Sequence, residues 1–376
     1  MGSDNSLKVW VMTNEFQPNI VGGLGIVATY LSQMLSKTGV KIKVLCSGSS
    51  GKLVVSKPGG NMHIVRIPKK APPFRHSARA FKANAVLRAA AAAGLGKPDL
   101  IHIHSTEFAD AAAAAGNKFR VAIVYTCHSN VSAGIRSPHG KNQARLIRQA
   151  RRIVVPSRWQ AAATSRLYGG VRGRIAVIPH GVNAVSRHTG GTPEHLLFVG
   201  RLIPSKGIKP LIKAVAILSR SRKNVRLTVV GSGSDRYMNH LRSFAKQLGV
   251  SERIRWTGSR PHHAIQRMYA SYGAVIVPSG KESFCLVALE AMANGVPLVS
   301  TLSGGLREFV NNRNAQVIRS VNGESIARAI AAAWGNKEAT KRRRLYAKAV
   351  AARYRWRKVA LRYKSLFFDL KKARTP

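Results

Sequence analysis

The sequence predicts two doubly wound, Rossmann-like α/β domains in tandem, each a parallel sheet covered by helices on both faces. Three observations carry that expectation. Short apolar runs alternate with longer helical stretches along most of the chain, the pattern of strands joined by helical crossovers. A polar, glycine-rich segment without periodicity, Gly181 to Thr192, interrupts the alternation near its middle. The length of 376 residues suits two domains at roughly 150 residues each.

In order, Lys8 to Met12 is the first apolar run, closed by Thr13 and Asn14, and a glycine-rich loop leads to a helical pattern over Leu24 to Lys37. Further strands are predicted at Lys41 to Cys46, His63 to Ile67, Leu100 to His104, Val121 to Thr126, Ile153 to Pro156 and Ala176 to Pro179, with alanine-rich helices between. The second series places strands at Leu196 to Val199, Val225 to Gly231, Ile254 to Trp256, Ala274 to Val277, Leu298 to Thr301 and Ala315 to Ile318. From Lys337 the composition turns to basic helix formers, and Val359, Tyr363, Leu366 and Phe367 recur at helical spacing, so one face of a final helix can be buried. The expected division is an N-terminal domain over 1–183, a linker over 184–192, a second domain over 193–352 and a closing helix over 353–376.

Composition narrows the function classes. Lysine and arginine number 62 against 14 acids, a formal charge of +48, yet 45% of residues are hydrophobic, so the chain buries cores and is no disordered basic tail. Three widely spaced cysteines support neither a disulfide frame nor a zinc ribbon. Met1 to Ser6 lacks a signal-peptide start, and the apolar run Cys285 to Val299 is broken by Glu290 and Asn294. A cytoplasmic protein, at most peripheral at a membrane, is expected.

Ligands of open parallel sheets collect at the carboxyl ends of strands, and two such domains are expected to face each other across a cleft. In Gly22-Gly-Leu-Gly25 the missing side chains allow close backbone approach and a helix N-terminus offers N–H groups to an anion, although a ligand-free turn reads the same way. Arg201 and Lys206, on one loop after a strand, could neutralise a diphosphate leaving group, or be solvated surface. Glu282 and Glu290 stand in an apolar stretch that is no place for solubility charges. On one helix they would lie ~12 Å apart along the axis and ~80° apart in rotation, poorly aligned for the paired acids of a hydrolase, so two separate jobs are expected. Glu282 would occupy the loop after the strand and Glu290 the helix behind it.

The set Glu282-x7-Glu290, Ala291-Met-Ala-x-Gly295-x-Pro297, Gly304-Gly305-x-x-Glu308, Gly22-Gly-x-Gly25, Ile178-Pro-His-Gly-Val182, Gly200-Arg-Leu with Lys206-Gly207, and a closing helix containing Trp356 resembles the retaining GT-B glycosyltransferases of family 4. The match runs in order from residue 8 to about 370. The resemblance implies a GT-B arrangement, with the last helix crossing back to the first domain, and metal-independent transfer of a sugar from a nucleotide diphosphate donor to an acceptor hydroxyl with retained configuration. It implies that Glu290 bonds the donor ribose, that Glu282 holds donor-sugar hydroxyls, and that Phe284, Cys285 and Leu286 offer backbone N–H groups. It also implies that Arg201 and Lys206 clamp the diphosphate, that Gly23, with Gly25 beside it, approaches the phosphates, and that His128 stands near the reacting carbon. Catalytic roles are thus expected of His128, Arg201, Lys206 and Glu282, with a UDP-sugar as the first choice of donor and GDP- or ADP-sugars as alternatives. The residues add that the five aspartates, 4, 99, 110, 235 and 369, form no Asp-x-Asp pair, so no metal or other cofactor is expected. Ser129, Asn183, Ser283 and Cys285 depart from the family's usual Asp, Asp, Gly and Gly. His104 could line the cleft, although a strand-end residue with satisfied partners is the stronger reading.

The acceptor, whether glycan, lipid-linked or small molecule, is expected to be chosen by loops 14–20, 69–78 and 130–139. A sugar phosphorylase and a polyanion-binding protein on the same scaffold are the alternatives. For the charge, docking on an anionic membrane or surface polymer, nucleic-acid binding, and a plain solvated surface compete. The basic clusters at Arg145 to Arg152 and Lys341 to Lys372 show no apolar face for insertion in the sequence. Dedicated nucleic-acid binding ranks low, because no binding module is present and Tyr354, Trp356 and Tyr363, which could stack on bases, suit a packed helix as well.

Overall fold

In the computed structural model, residues 6–68, 80–130, 134–184 and 190–373 are described. The acceptor loop expected over 69–78 and most of the linker over 184–192 lie outside them. Two compact units result, Met1–Gly181 with Trp356–Pro376, and Val182–Arg355.

The first unit carries β1 (Lys8–Thr13), α1 (Gly23–Lys37), β2 (Lys41–Gly48), β3 (Val54–Ser56), β4 (Met62–Pro68), α2 (Ala83–Ala92), β5 (Leu100–Ile103), α3 (Ala109–Phe119), β6 (Ala122–Thr126), α4 (Pro138–Gln149), β7 (Arg152–Val155), α5 (Arg158–Tyr168) and β8 (Ile175–Val177). Its eight strands run in the order β3-β4-β2-β1-β5-β6-β7-β8. Every pairing is parallel except β3 with β4, which is antiparallel. The sequence reading missed β3: its three residues, two of them exposed, carry no alternation, and only the edge of β4 recruits them. Central β1 is buried along both faces, as a strand covered by helices on each side must be.

The second unit carries β9 (His195–Val199), α6 (Ile208–Ser219), β10 (Arg226–Val230), α7 (Asp235–Gln247), β11 (Ile254–Trp256), α8 (His262–Met268), β12 (Ala274–Val277), α9 (Leu286–Asn294), β13 (Leu298–Ser300), β14 (Gln316–Val317), α10 (Gly323–Gly335) and α11 (Lys337–Ala351). Its order is β11-β10-β9-β12-β13-β14, parallel throughout. Successive strand residues feed opposite cores: Leu196 and Phe198 join the cluster under α6 and α10, Leu197 the one under α9 and α11. The basic segment after Lys337 is two helices: α11 ends at a short 3₁₀ turn over Ala352–Tyr354, and α12 (Trp356–Lys372) belongs to the first unit, where it packs on α1.

Candidate functional site

In the second unit, three adjacent strand ends converge on Glu282. Strands β9, β12 and β13 are neighbours, so the loops that follow them emerge side by side. The loop after β9 is drawn onto the loop after β12: Gly280 N donates to Ser205 O at 2.8 Å, and Gly207, at φ 72°, lies so near Pro278 that a Cβ would stand 2.2 Å from its carbonyl oxygen. Only glycine fits that backbone at that distance. The approach lets Lys206 Nζ donate to Glu282 Oε1 at 2.6 Å, with side-chain exposures of 21% and 9%. The loop after β13 closes from the other side, where Gly305 N donates to Glu282 O at 2.9 Å and Gly304, at φ 58°, leaves no room for a Cβ beside that oxygen. Arg201 stands exposed on the Lys206 loop.

Helix α9 begins at Leu286, so Glu282 precedes it and Glu290 lies within it. Phe284 turns its ring into the core against Phe309 at 5.0 Å. Cys285 caps the helix at φ 82°, left-handed backbone that strains any L side chain, which accounts physically for the glycine usual at that position in the resembling family. Burial, then the neighbouring Glu282, holds the Cys285 thiol well above its ordinary pKa. Glu290 is 4% exposed and bonded through both oxygens: His262 Nε2 donates to Oε1 at 2.7 Å and Tyr269 O–H to Oε2 at 2.9 Å. Asn294 Nδ2 donates to the Glu290 carbonyl at 2.9 Å, anchoring the same turn. Burial, reinforced by Glu290, pushes the Tyr269 hydroxyl well above its usual range, so it remains a neutral donor. Sequence reasoning missed His262 and Tyr269, which lie outside the motifs and reach Glu290 only through the packing of α8 and the turn after it on α9.

In the first unit, α1 begins at Gly23, with Gly25 buried in its first turn. An anion already sits beside this loop: Glu15 Oε2 accepts from Val21 N and Gly22 N, each at 2.9 Å, and a Cβ on Gly25 would stand 2.7 Å from that oxygen. Glu15 was not singled out in the sequence, although it is one of only 14 acids. At the ends of β5 and β6, His104 Nδ1 and His128 Nε2 share a hydrogen bond at 3.0 Å, and His180 lies 5.3 Å from His128, centroid to centroid. His102, one turn of strand earlier, pairs Nε2 with Thr126 Oγ1 at 2.7 Å, and Thr126 Oγ1 lies 3.1 Å from Tyr363 O–H of α12. Burial lowers all four imidazoles, His102 and His128 to about 3, so the cluster is neutral. The expectation that His104 is fully satisfied is corrected: its Nε2 is buried without a partner. Among the described residues no group of three His, Cys, Asp or Glu is arranged to hold a metal ion.

Each unit thus presents loops at the carboxyl ends of a parallel sheet, one with a glycine-rich helix start and a neutral histidine cluster, the other with two cations and two buried carboxylates. The family described as Glycosyltransferase Family 4 matches residues 21–185, and that described as Glycosyl transferases group 1 matches residues 185–350. The D-inositol 3-phosphate glycosyltransferase of Frankia alni is 31% identical over 329 residues, 77% of this chain and 80% of that protein. Among solved structures, sucrose-phosphate synthase from Thermosynechococcus elongatus superposes with a TM-score of 0.80 at 18% identity, covering 98% of this chain and all of that one. Anabaena HepE in complex with UDP and glucose gives 0.75 at 18% identity, covering 96% and 99%. Both sheets have the architecture of the GT-B fold, and α12 returns to α1 as that fold requires. The chain therefore belongs to the group 1, family 4 glycosyltransferases, the nucleotide-sugar-dependent, retaining hexosyltransferases of the GT-B fold.

Proposed function

We propose that the loops after β9, β12 and β13 hold the donor, with Arg201 and Lys206 neutralising the diphosphate as its bond to the sugar breaks. The observation that carries this is the 2.6 Å pair between Lys206 Nζ and Glu282 Oε1. An ammonium has three donors, so Lys206 can bond a phosphate oxygen without leaving Glu282, and the nearly buried carboxylate fixes where its charge sits. Glu282 orients the sugar hydroxyls, and the backbone of Phe284, Cys285 and Leu286 supplies N–H groups at the start of α9. Glu290 accepts from the ribose: His262 and Tyr269 take one lone pair of each oxygen and aim the remaining two. Gly23 and Gly25 carry no side chains at the start of α1, as an anion's close approach requires. His128, neutral and bonded to His104, offers the acceptor side a hydrogen-bonding group that adds no charge.

A UDP-sugar is the donor this reading favours, in line with the UDP and glucose in the HepE structure. The acceptor is a glycan, a lipid-linked sugar or a small molecule. The charge of +48 supports peripheral contact with an anionic membrane or surface polymer; a dedicated nucleic-acid role ranks lower because the sequence carries no recognised binding module. No described helix is long and apolar enough to cross a membrane.

Melting temperatures with UDP, GDP, ADP and pyrophosphate, at low and high salt, test the donor site, because a ligand that binds only the folded state raises the melting point. A shift specific to UDP that survives high salt is expected. Equal shifts with every polyanion, all vanishing in salt, would replace this site with plain charge attraction.

A further inference from the structure

The donor site leaves the positive charge unexplained, and the structure divides that charge unevenly along the basic run Lys341-Arg-Arg-Arg344. Arg343 and Arg344 turn inward as structural donors: Arg343 Nε bonds Asn312 O at 3.1 Å, and Arg344 Nε bonds Gly295 O at 2.7 Å. Lys341 and Arg342 turn outward, whereas the Lys348 side chain lies over Gly295. Four residues after Lys341 and three after Arg342, the same helix face carries Leu345 at 63% exposure, the highest of any large hydrophobic side chain described. The sequence reading found no apolar face left over for insertion on this segment; the structure adds one exposed leucine. Helix α11 displays that leucine beside two outward cations.

The aromatic side chains that favoured nucleic acid are spent elsewhere. Trp356 and Tyr363 are 2% and 1% exposed, and the Tyr354 ring packs 6.0 Å from Phe284 and 5.8 Å from Phe309. A single strand would find no stacking platform in these three rings. An anionic bilayer uses what is present: the headgroups meet the cations, the lysine and arginine stems lie along the interface, and the leucine enters the acyl boundary.

We propose that the outward face of α11, formed by Lys341, Arg342 and Leu345, docks the protein on an anionic lipid surface. This rests on the reading of peripheral contact above, to which it adds the surface and the choice of lipid over polymer.

The test is co-sedimentation of the full chain with vesicles of phosphatidylcholine alone, or of equal parts phosphatidylcholine and phosphatidylglycerol, near physiological ionic strength. Binding to the anionic vesicles alone is expected. Each cation is worth about fivefold in partition, the equivalent of ~1 kcal/mol, so K341E/R342E should lower binding at least ~25-fold. Leu345→Gln, which changes no charge, should lower it several-fold. The pair R242E/K246E on α7 makes the same charge change on an exposed face without a leucine and should cost much less. Equal losses from the two double variants, or wild-type binding by Leu345→Gln, would overturn this face as the docking surface while leaving general charge-driven contact standing. No binding by the wild type would remove both. Single-stranded RNA bound with the same dependence on Leu345 would also overturn the lipid assignment. All these positions are exposed, so a retained UDP melting shift verifies the fold of each variant independently of the vesicle result.

Discussion

Gly181 is the fourth residue of the Ile178-Pro-His-Gly-Val182 motif, and the structure makes its role steric. A Cβ there would stand 2.4 Å from Trp356 Cδ2, 2.5 Å from Cε3 and 2.8 Å from Cγ. Carbon atoms in contact prefer about 3.5–4.0 Å, so Gly181→Ala requires the indole to retreat by roughly 1 Å. The ring is 2% exposed and stacked on Tyr30, with centroids 6.0 Å apart and planes at 13°, so it cannot retreat without displacing a second ring and the start of α12. Overpacking a core costs about 1–3 kcal/mol, and a rigid ring backed by another puts this site at the upper end. For a unit of about 200 residues, ~3 kcal/mol lowers the melting temperature by roughly 6–12 °C. Calorimetry of the variant measures the loss, and repeating the substitution in a Trp356→Leu background isolates its cause. With the indole gone, the added methyl should cost less than ~1 kcal/mol, a coupling of about 2 kcal/mol between the two sites. A Gly181→Ala protein melting within about 2 °C of wild type, or an equal cost in both backgrounds, would refute the reasoning.

Further expectations concern the donor site and its surroundings. Lys206→Ala should lower kcat about 100-fold with a much smaller change in donor KM, because in the proposed role the ammonium acts mainly on charge that develops in the transition state; steady-state kinetics would contradict this if KM rose and kcat held. Glu290→Gln should weaken nucleotide binding roughly 10- to 100-fold, the worth of ~1.5–3 kcal/mol for a charged acceptor, as read by calorimetric titration. Gly304→Ala, with its Cβ driven against Glu282 O, should reduce activity through displacement of Glu282 and lower the melting temperature as well. The histidine cluster sets an acid limb. His102 and His128 are held at about 3 by burial, against about 6.5 in the unfolded chain, so the unfolded state binds more protons between those values. Stability is intact above about pH 6.5 and falls as the pH drops towards 3; His128→Gln should flatten that decline in melting curves taken from pH 7 to 4.

Much of the site was legible because its glycines, carboxylates and cations lie in short local motifs at strand ends. Glu282, Lys206 and Arg201 could be placed on loops, and Glu290 on a helix, from the alternation of apolar runs alone. Partners brought together across the fold were not legible. Glu15 sits next to Gly25 only because the loop after β1 folds over the start of α1, and His262 and Tyr269 meet Glu290 through helix packing that no spacing records. The short strand β3 escaped for the same reason, since its pairing is a property of the edge of β4.

By itself, the sequence determined the parallel α/β class and the order of the candidate site motifs, because period and spacing are local and strands buried on both faces are nearly continuously apolar. It also determined the charge, a sum over residues that no folding can change. Tertiary structure decided how that charge is used. Arg343 and Arg344 become inward donors while Lys341 and Arg342 flank an exposed Leu345, a division set by which side of α11 meets the core. It likewise decided that Lys206 is held by Glu282, since 76 residues separate them and only the adjacency of β9 and β12 in the sheet closes the gap to 2.6 Å.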